Sequence, residues 1–199
     1  DASISGLTVG KGGGAVATNT AVGANTLASN TTGSENSSTG INSLNANTSG
    51  SGNSAFGTYA LVGNTTGNSN TAVGRSALNS NTTASNNTAV GYQAGYTNST
   101  GSAINAFGYK ALYANTTGAN NIAIGNNAMV ANSTGNFNTA IGDSAMAANT
   151  TANDNVAIGQ SALDANTTGA SNVAVGRDAL GANTTASNLS LIHISEPTR

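Results

Sequence analysis

The chain has 199 residues, 26 of them Gly and 32 Asn, with no Cys, no Trp, three Phe and five Tyr. Charged residues make up 6% and the net charge is −2, so nothing in the charge balance favours binding to nucleic acid or an anionic membrane. Without Cys there is no disulfide framework and no thiol chemistry. No run of the sequence approaches the ~20 apolar residues of a membrane span, so membrane insertion is not expected.

Most apolar residues are Ala or Val, which makes an ordinary globular core hard to build. Ordering the backbone costs roughly 1–2 kcal/mol per residue. Small side chains offset that poorly at about 25 cal/mol per Å². A chain of this kind is either disordered or held by dense backbone hydrogen bonding. Disorder goes with high net charge and aperiodic polar sequence, and this sequence is strictly periodic, so an ordered chain is expected.

In chain order, residues 1–18 are Gly-rich, match the later pattern poorly and read as an irregular N-terminal cap or linker. Residues 19–189 repeat every 17 residues with the consensus N-T-A-V-G-x-x-A-L-x-x-N-T-T-G-x-x. Gly recurs at Gly23, Gly40, Gly57, Gly74, Gly91, Gly108, Gly125, Gly142, Gly159 and Gly176. Asn recurs at Asn30, Asn47, Asn64, Asn81, Asn98, Asn115, Asn132, Asn149, Asn166 and Asn183. A fixed period of this kind is the signature of a stacked repeat architecture.

Each unit predicts one short strand ending at the Gly, because β-branched residues alternate around a small one, as in Ile122-Ala123-Ile124 and Val173-Ala174-Val175. An Ala-Leu pair follows, then Asn-Thr-Thr-Gly, whose Asn and Gly tolerate the positive φ of a turn. A helix is excluded, since a Gly and an Asn-Thr-Thr breaker fall in every unit and leave room for barely two turns. The fold class expected is therefore all-β: a parallel β-solenoid or β-roll of about eleven rungs. At about 4.8 Å per rung it makes a rod on the order of 50 Å long. Successive strand residues point to opposite faces. The Val and Ile positions are expected to fill the coil, leaving Ala123, Ala140, Ala157 and Ala174 on a second face that meets another chain.

Three readings stand for the Asn-Thr-Thr motif. It fits the N-x-[ST] glycosylation pattern, it could order water through a Thr rank, or its amides could stack into a structural Asn ladder that closes each turn. The ladder is the reading adopted, with the recurring Gly as its structural counterpart.

The core Asn-Thr-Ala-Val-Gly-x-x-Ala-Leu, over roughly residues 19–188, resembles two groups of proteins. One is the head repeats of trimeric autotransporter adhesins, with a similar A-[VI]-G-x-x-[AS] core in a left-handed parallel β-roll. The other is the repeat-rich tail-fibre proteins of bacteriophages. The 17-residue period is longer than the unit usual in adhesin heads. The resemblance implies a homotrimeric fibre segment, extracellular, on a cell surface or virion, that spaces or displays a site for a surface glycan or receptor. Two alternatives remain open: an ice-binding solenoid using its Thr ladder, and a secreted filament of rods stacked end to end.

Residues 190–199, Ser-Leu-Ile-His-Ile-Ser-Glu-Pro-Thr-Arg, hold the only His and the only Pro. They are similar to the translation of a transposase sequencing-library adapter, which implies a non-native tail sharing no ladder position with the repeats.

Catalysis needs converging titratable groups. His193 lies in that tail, and Asp143, Asp154, Asp164 and Asp178 are scattered. Gly10-Lys11-Gly12-Gly13-Gly14 lacks P-loop spacing, and Gly159-Gln160-Ser161-Ala162 lacks the second Gly of a nucleophile elbow. The chain is expected not to be an enzyme and to need no cofactor or metal.

Overall fold

A computed structural model describes residues 2–4 and 7–193. Its thirteen strands form one sheet in chain order: β1 (Ala2–Ile4), β2 (Leu7–Gly10), β3 (Thr20–Val22), β4 (Ser37–Thr39), β5 (Ser54–Phe56), β6 (Thr71–Val73), β7 (Thr88–Val90), β8 (Asn105–Phe107), β9 (Ile122–Ile124), β10 (Thr139–Ile141), β11 (Val156–Ile158), β12 (Val173–Val175) and β13 (Ser190–Ile192). From β3 onward every pairing is parallel and offset by one repeat, as with Thr71 beside Thr88, Ala72 beside Ala89 and Val73 beside Val90. The described residues contain no α-helix. The chain is a β-solenoid, one coil per 17-residue repeat.

The strands face the other way from the sequence expectation. Ala72, Ala89, Ala106, Ala123, Ala140, Ala157 and Ala174 are fully buried inside the coil, while the Val, Ile and Phe on either side of them point outward. The reason is volume. Leu27, Leu44, Leu61, Leu78, Leu112, Met129, Met146 and Leu163 form a column through the rod and fill its interior. Only a small side chain fits on the strand opposite them. The Ala-Leu pairs do not present atoms to both sides either, since Ala77 and Leu78 are both buried.

That second departure has a backbone cause. The segment after each Gly is not extended, so strand alternation does not apply to it. Its φ is positive at alternate residues, 58° at Ser76 and 49° at Leu78, and a third left-handed residue follows at Asn86 with 62°. Left-handed backbone costs an L-residue roughly 1–2 kcal/mol, and this conformation recurs in every coil. Hydrogen bonds between coils hold it. Ser76 N–H donates back to the Thr58 carbonyl at 3.0 Å, while Leu78 and Ser80 donate forward to Ala94 and Tyr96 at 2.9 and 3.0 Å.

The two ends differ. At the N-terminus, β2 lies antiparallel to β3, with Val9 beside Val22 and Gly10 beside Ala21. Gly13 N–H then donates to the Leu27 carbonyl at 2.8 Å from a short 3₁₀ turn over Gly13–Ala15. Residues expected to be irregular thus form two strands and a turn, with β2 and the turn laid against the first coil and β1 paired to β2. At the C-terminus, β13 pairs in parallel with β12, setting Ser190 beside Val173 and Ile192 beside Val175. His193 N–H donates to the Val175 carbonyl at 2.7 Å. The start of the 190–199 segment therefore does occupy a ladder position. Backbone pairing asks only for an extended stretch at the right height, and Ser-Leu-Ile supplies one. Residues 194–199 of that segment lie outside the described residues.

Candidate functional site

The ten recurring Asn run in one column on the inner side of the turn. Asn115 shows the pattern: its Nδ2 donates to Asn98 Oδ1 at 2.7 Å and to the Gly118 carbonyl at 2.9 Å, and its Oδ1 accepts from Asn132 Nδ2 at 2.8 Å. Each amide therefore closes its own turn and ties that turn to the coil before. The ladder is interrupted once. Asn149 Oδ1 is buried without a partner, and Asn166 donates to the Gly169 carbonyl alone. Asn30 is 2% exposed and Asn47 to Asn166 are fully buried. Their amide nitrogens are engaged inside the folded chain, which leaves no accessible acceptor for a glycan at these positions.

A second Asn ladder runs beside the strands, through Asn19, Asn36, Asn53, Asn70, Asn87, Asn121, Asn138, Asn155 and Asn172, all buried. Here the backbone takes part. Asn53 N–H donates to Asn36 Oδ1 at 2.9 Å, and Asn53 Nδ2 donates to the Gly67 carbonyl at 2.8 Å. These residues open the consensus, yet the sequence reading gave them no ladder role. Their period was the available signal, broken at Ile104.

The recurring Gly are equally structural. Gly23 to Gly176 have φ between 117° and 141°, a range that side chains avoid. A Cβ on Gly108 would sit 2.5 Å from the carbonyl oxygen of Gly125 in the next coil.

The two Thr of each Asn-Thr-Thr have different surroundings. The first turns its hydroxyl to the next coil, as Thr65 Oγ1 does in donating to the Thr82 carbonyl at 3.0 Å. The second, at Thr66, Thr83, Thr100, Thr117 and their equivalents, is exposed and forms a single rank. On the strand side, Phe56, Val73, Phe107, Ile122, Ile124, Ile158 and Val173 leave 36–44% of their surface exposed, an apolar strip running along the rod.

Charged groups do not converge. Among the described residues there is no group of three or more His, Cys, Asp and Glu placed to hold a metal ion. The ion pair they contain joins Arg177 Nε and Asp178 Oδ2 at 3.3 Å on an open surface. Asp143 accepts from Asn126 Nδ2 at 3.1 Å and from the Ser144 hydroxyl at 2.9 Å. Among the described residues no helix is long and apolar enough to cross a membrane. Comparison with protein-family models, curated proteins and solved structures finds no match to the chain.

Proposed function

We propose that this chain is a spacing and display segment of an extracellular fibre, on a cell surface or virion, assembled from several copies and carrying out no catalysis. The observation that supports it is the apolar strip on the outer face of the sheet. Side chains at Phe56, Val73, Phe107, Ile124 and Ile158 stand in one rank along the outer face of the solenoid. A continuous apolar strip is what associating proteins cover. Three copies is the number the adhesin-like repeat core suggests. The seam is this strip and not the Ala rank, because Ala140 and Ala157 are buried within their own coil.

Light scattering of the native protein tests the reading. A mass of three chains is expected, falling to one chain in the Ile124→Glu, Ile158→Glu variant while its far-UV spectrum is unchanged. A monomeric native protein sinks the proposal. Less supports the ice-binding alternative. The exposed Thr stand in one rank where a flat ice-matching plane wants two, and the first Thr of each motif spends its hydroxyl proton on the next coil.

A further inference from the structure

All five Tyr lie between residues 59 and 113, and four of them occupy two adjacent coils. Tyr92 stacks on Tyr109 with ring centroids 5.6 Å apart and planes 15° from parallel. Tyr96 stacks on Tyr113 at 5.2 Å and 4°. Lys110 joins the two stacks, its Nζ lying 5.3 Å from the ring centroids of both Tyr109 and Tyr113. Tyr92 and Tyr109 remain 39% and 47% exposed.

The charge around this cluster is of one sign. Arg75 stands one repeat before Tyr92, at the equivalent position, and residues 36–142 contain no Asp or Glu at all. Among the described residues the ion pair is at Arg177 and Asp178, far along the rod, so neither Arg75 nor Lys110 is matched by a carboxylate. Stacked rings alone would serve as a stabilising ladder. They would not account for two unmatched cations beside them in the stretch from which acidic residues are missing.

We propose that the Tyr92–Tyr109 and Tyr96–Tyr113 stacks, with Arg75 and Lys110, form a binding site for an acidic polysaccharide. Tyrosine offers an apolar ring body and a polar hydroxyl, which suits the C–H face and the hydroxyls of a sugar ring. The cations supply partners for sugar carboxylates, and Lys110 is already seated over aromatic faces. A nucleic acid fits less well, because its affinity comes from neutralising many phosphates, and two cations on a chain of net charge −2 are few for that. The site rests on the reading of the rod as a display segment and names what it displays.

Native gel electrophoresis of the full chain through gels containing alginate, an anionic polyuronate, or dextran, a neutral glucan, tests it. Retardation by alginate over dextran is expected, weakened about tenfold or more in Tyr109→Ala. Lys110→Gln, which keeps both stacks, should lose the preference for alginate. Phe137→Ala, at a Phe 60% exposed outside the cluster, should behave as the native chain. Should Tyr109→Ala fail to fold, Lys110→Gln decides. Equal retardation by the two polymers, no retardation, an unchanged Lys110→Gln variant, or capture of a single-stranded oligonucleotide alone overturns the proposal. A chain of trimer mass that ignores alginate loses this site and keeps the fibre; a monomer that binds alginate does the reverse.

Discussion

Ile104 fills the space that Gly95 leaves empty. Gly95 stands where the other coils carry Leu or Met, and Ile104 stands where they carry the Asn of the second ladder, apart from Leu189 at its end. A Cβ built on Gly95 would meet Ile104 Cδ1 at 3.5 Å and Leu78 Cδ2 at 2.9 Å. One coil has thus exchanged a Leu and an Asn for a Gly and an Ile, keeping the interior filled. Ile104 N–H still donates to Asn87 Oδ1 at 3.0 Å, but Ile104 has no side-chain oxygen to offer Asn121 in turn. Asn87 Nδ2, for its part, donates to the Gly101 carbonyl at 3.0 Å and across to Asn81 Oδ1 of the first ladder at 3.1 Å.

The pair should therefore be strongly coupled. Gly95→Leu alone overpacks the coil and should cost about 1–3 kcal/mol. Ile104→Asn alone opens a void beside Gly95 and should cost about 2–4 kcal/mol. The double variant restores the consensus coil and should lie close to the native chain. Urea unfolding of the four proteins measures the coupling, and additive losses would contradict the exchange.

The first Asn ladder should be unequal along its length. Asn115→Ala removes three bonds among buried partners and should cost about 1–3 kcal/mol for each group left unpaired. Asn166→Ala meets a neighbour, Asn149 Oδ1, that is already without a partner. Its loss in melting temperature should be clearly smaller than that of Asn115→Ala, and equal losses would count against the interruption.

Much of this fold is legible before any coordinates. The period sets one coil per repeat, and Val173-Ala174-Val175 followed by Gly176 marks a strand and its end. Which face turns inward is not legible from such a triplet. Large apolar residues usually go inside, but in a narrow coil the space belongs to whichever side chain reaches it first. Leu78 reaches it from a left-handed segment that no strand or helix pattern describes, so Ala72 and Ala89 are left to close the wall. The ladder at Asn115 could be inferred from its unbroken period. The ladder at Asn87 was obscured by Ile104, whose reason to be there is the missing Leu at position 95.

That inversion changes what two substitutions report. Ala140→Glu and Ala157→Glu put carboxylates into a filled interior, where an unpaired buried charge cannot be tolerated. Both should abolish folding whatever the oligomeric state, as read by loss of the far-UV strand signal. Folded variants would mean that these Ala face outward after all.

Two sets of glycines should respond differently to Ala. Gly108→Ala forces a side chain onto φ of 133° and against the Gly125 carbonyl, and should lower stability by about 2 kcal/mol or more. Gly118→Ala also brings a Cβ close to the next coil, at the Gly135 carbonyl, but its φ is not in the left-handed region. Ala84, Ala152 and Ala186 already occupy its equivalents. Its cost should stay within about 1 kcal/mol, and thermal melts of the two variants compare them directly.

The exchange between Gly95 and Ile104 also bears on how such a gene can change length. Most coils ask of their neighbours only what any other coil offers, so loss or duplication of 17 residues would be a silent slip, altering the rod by one rise and nothing else. Excising residues 105–121 is of that kind, because Gly95 and Ile104 stay together. Excising residues 96–112 is not. It removes the same number of residues but delivers Asn121 to the place of Ile104, and the gap at Gly95 passes into the shortened rod unfilled. The eight-residue stretch between those two positions is thus a point at which recombination between repeats leaves a scar.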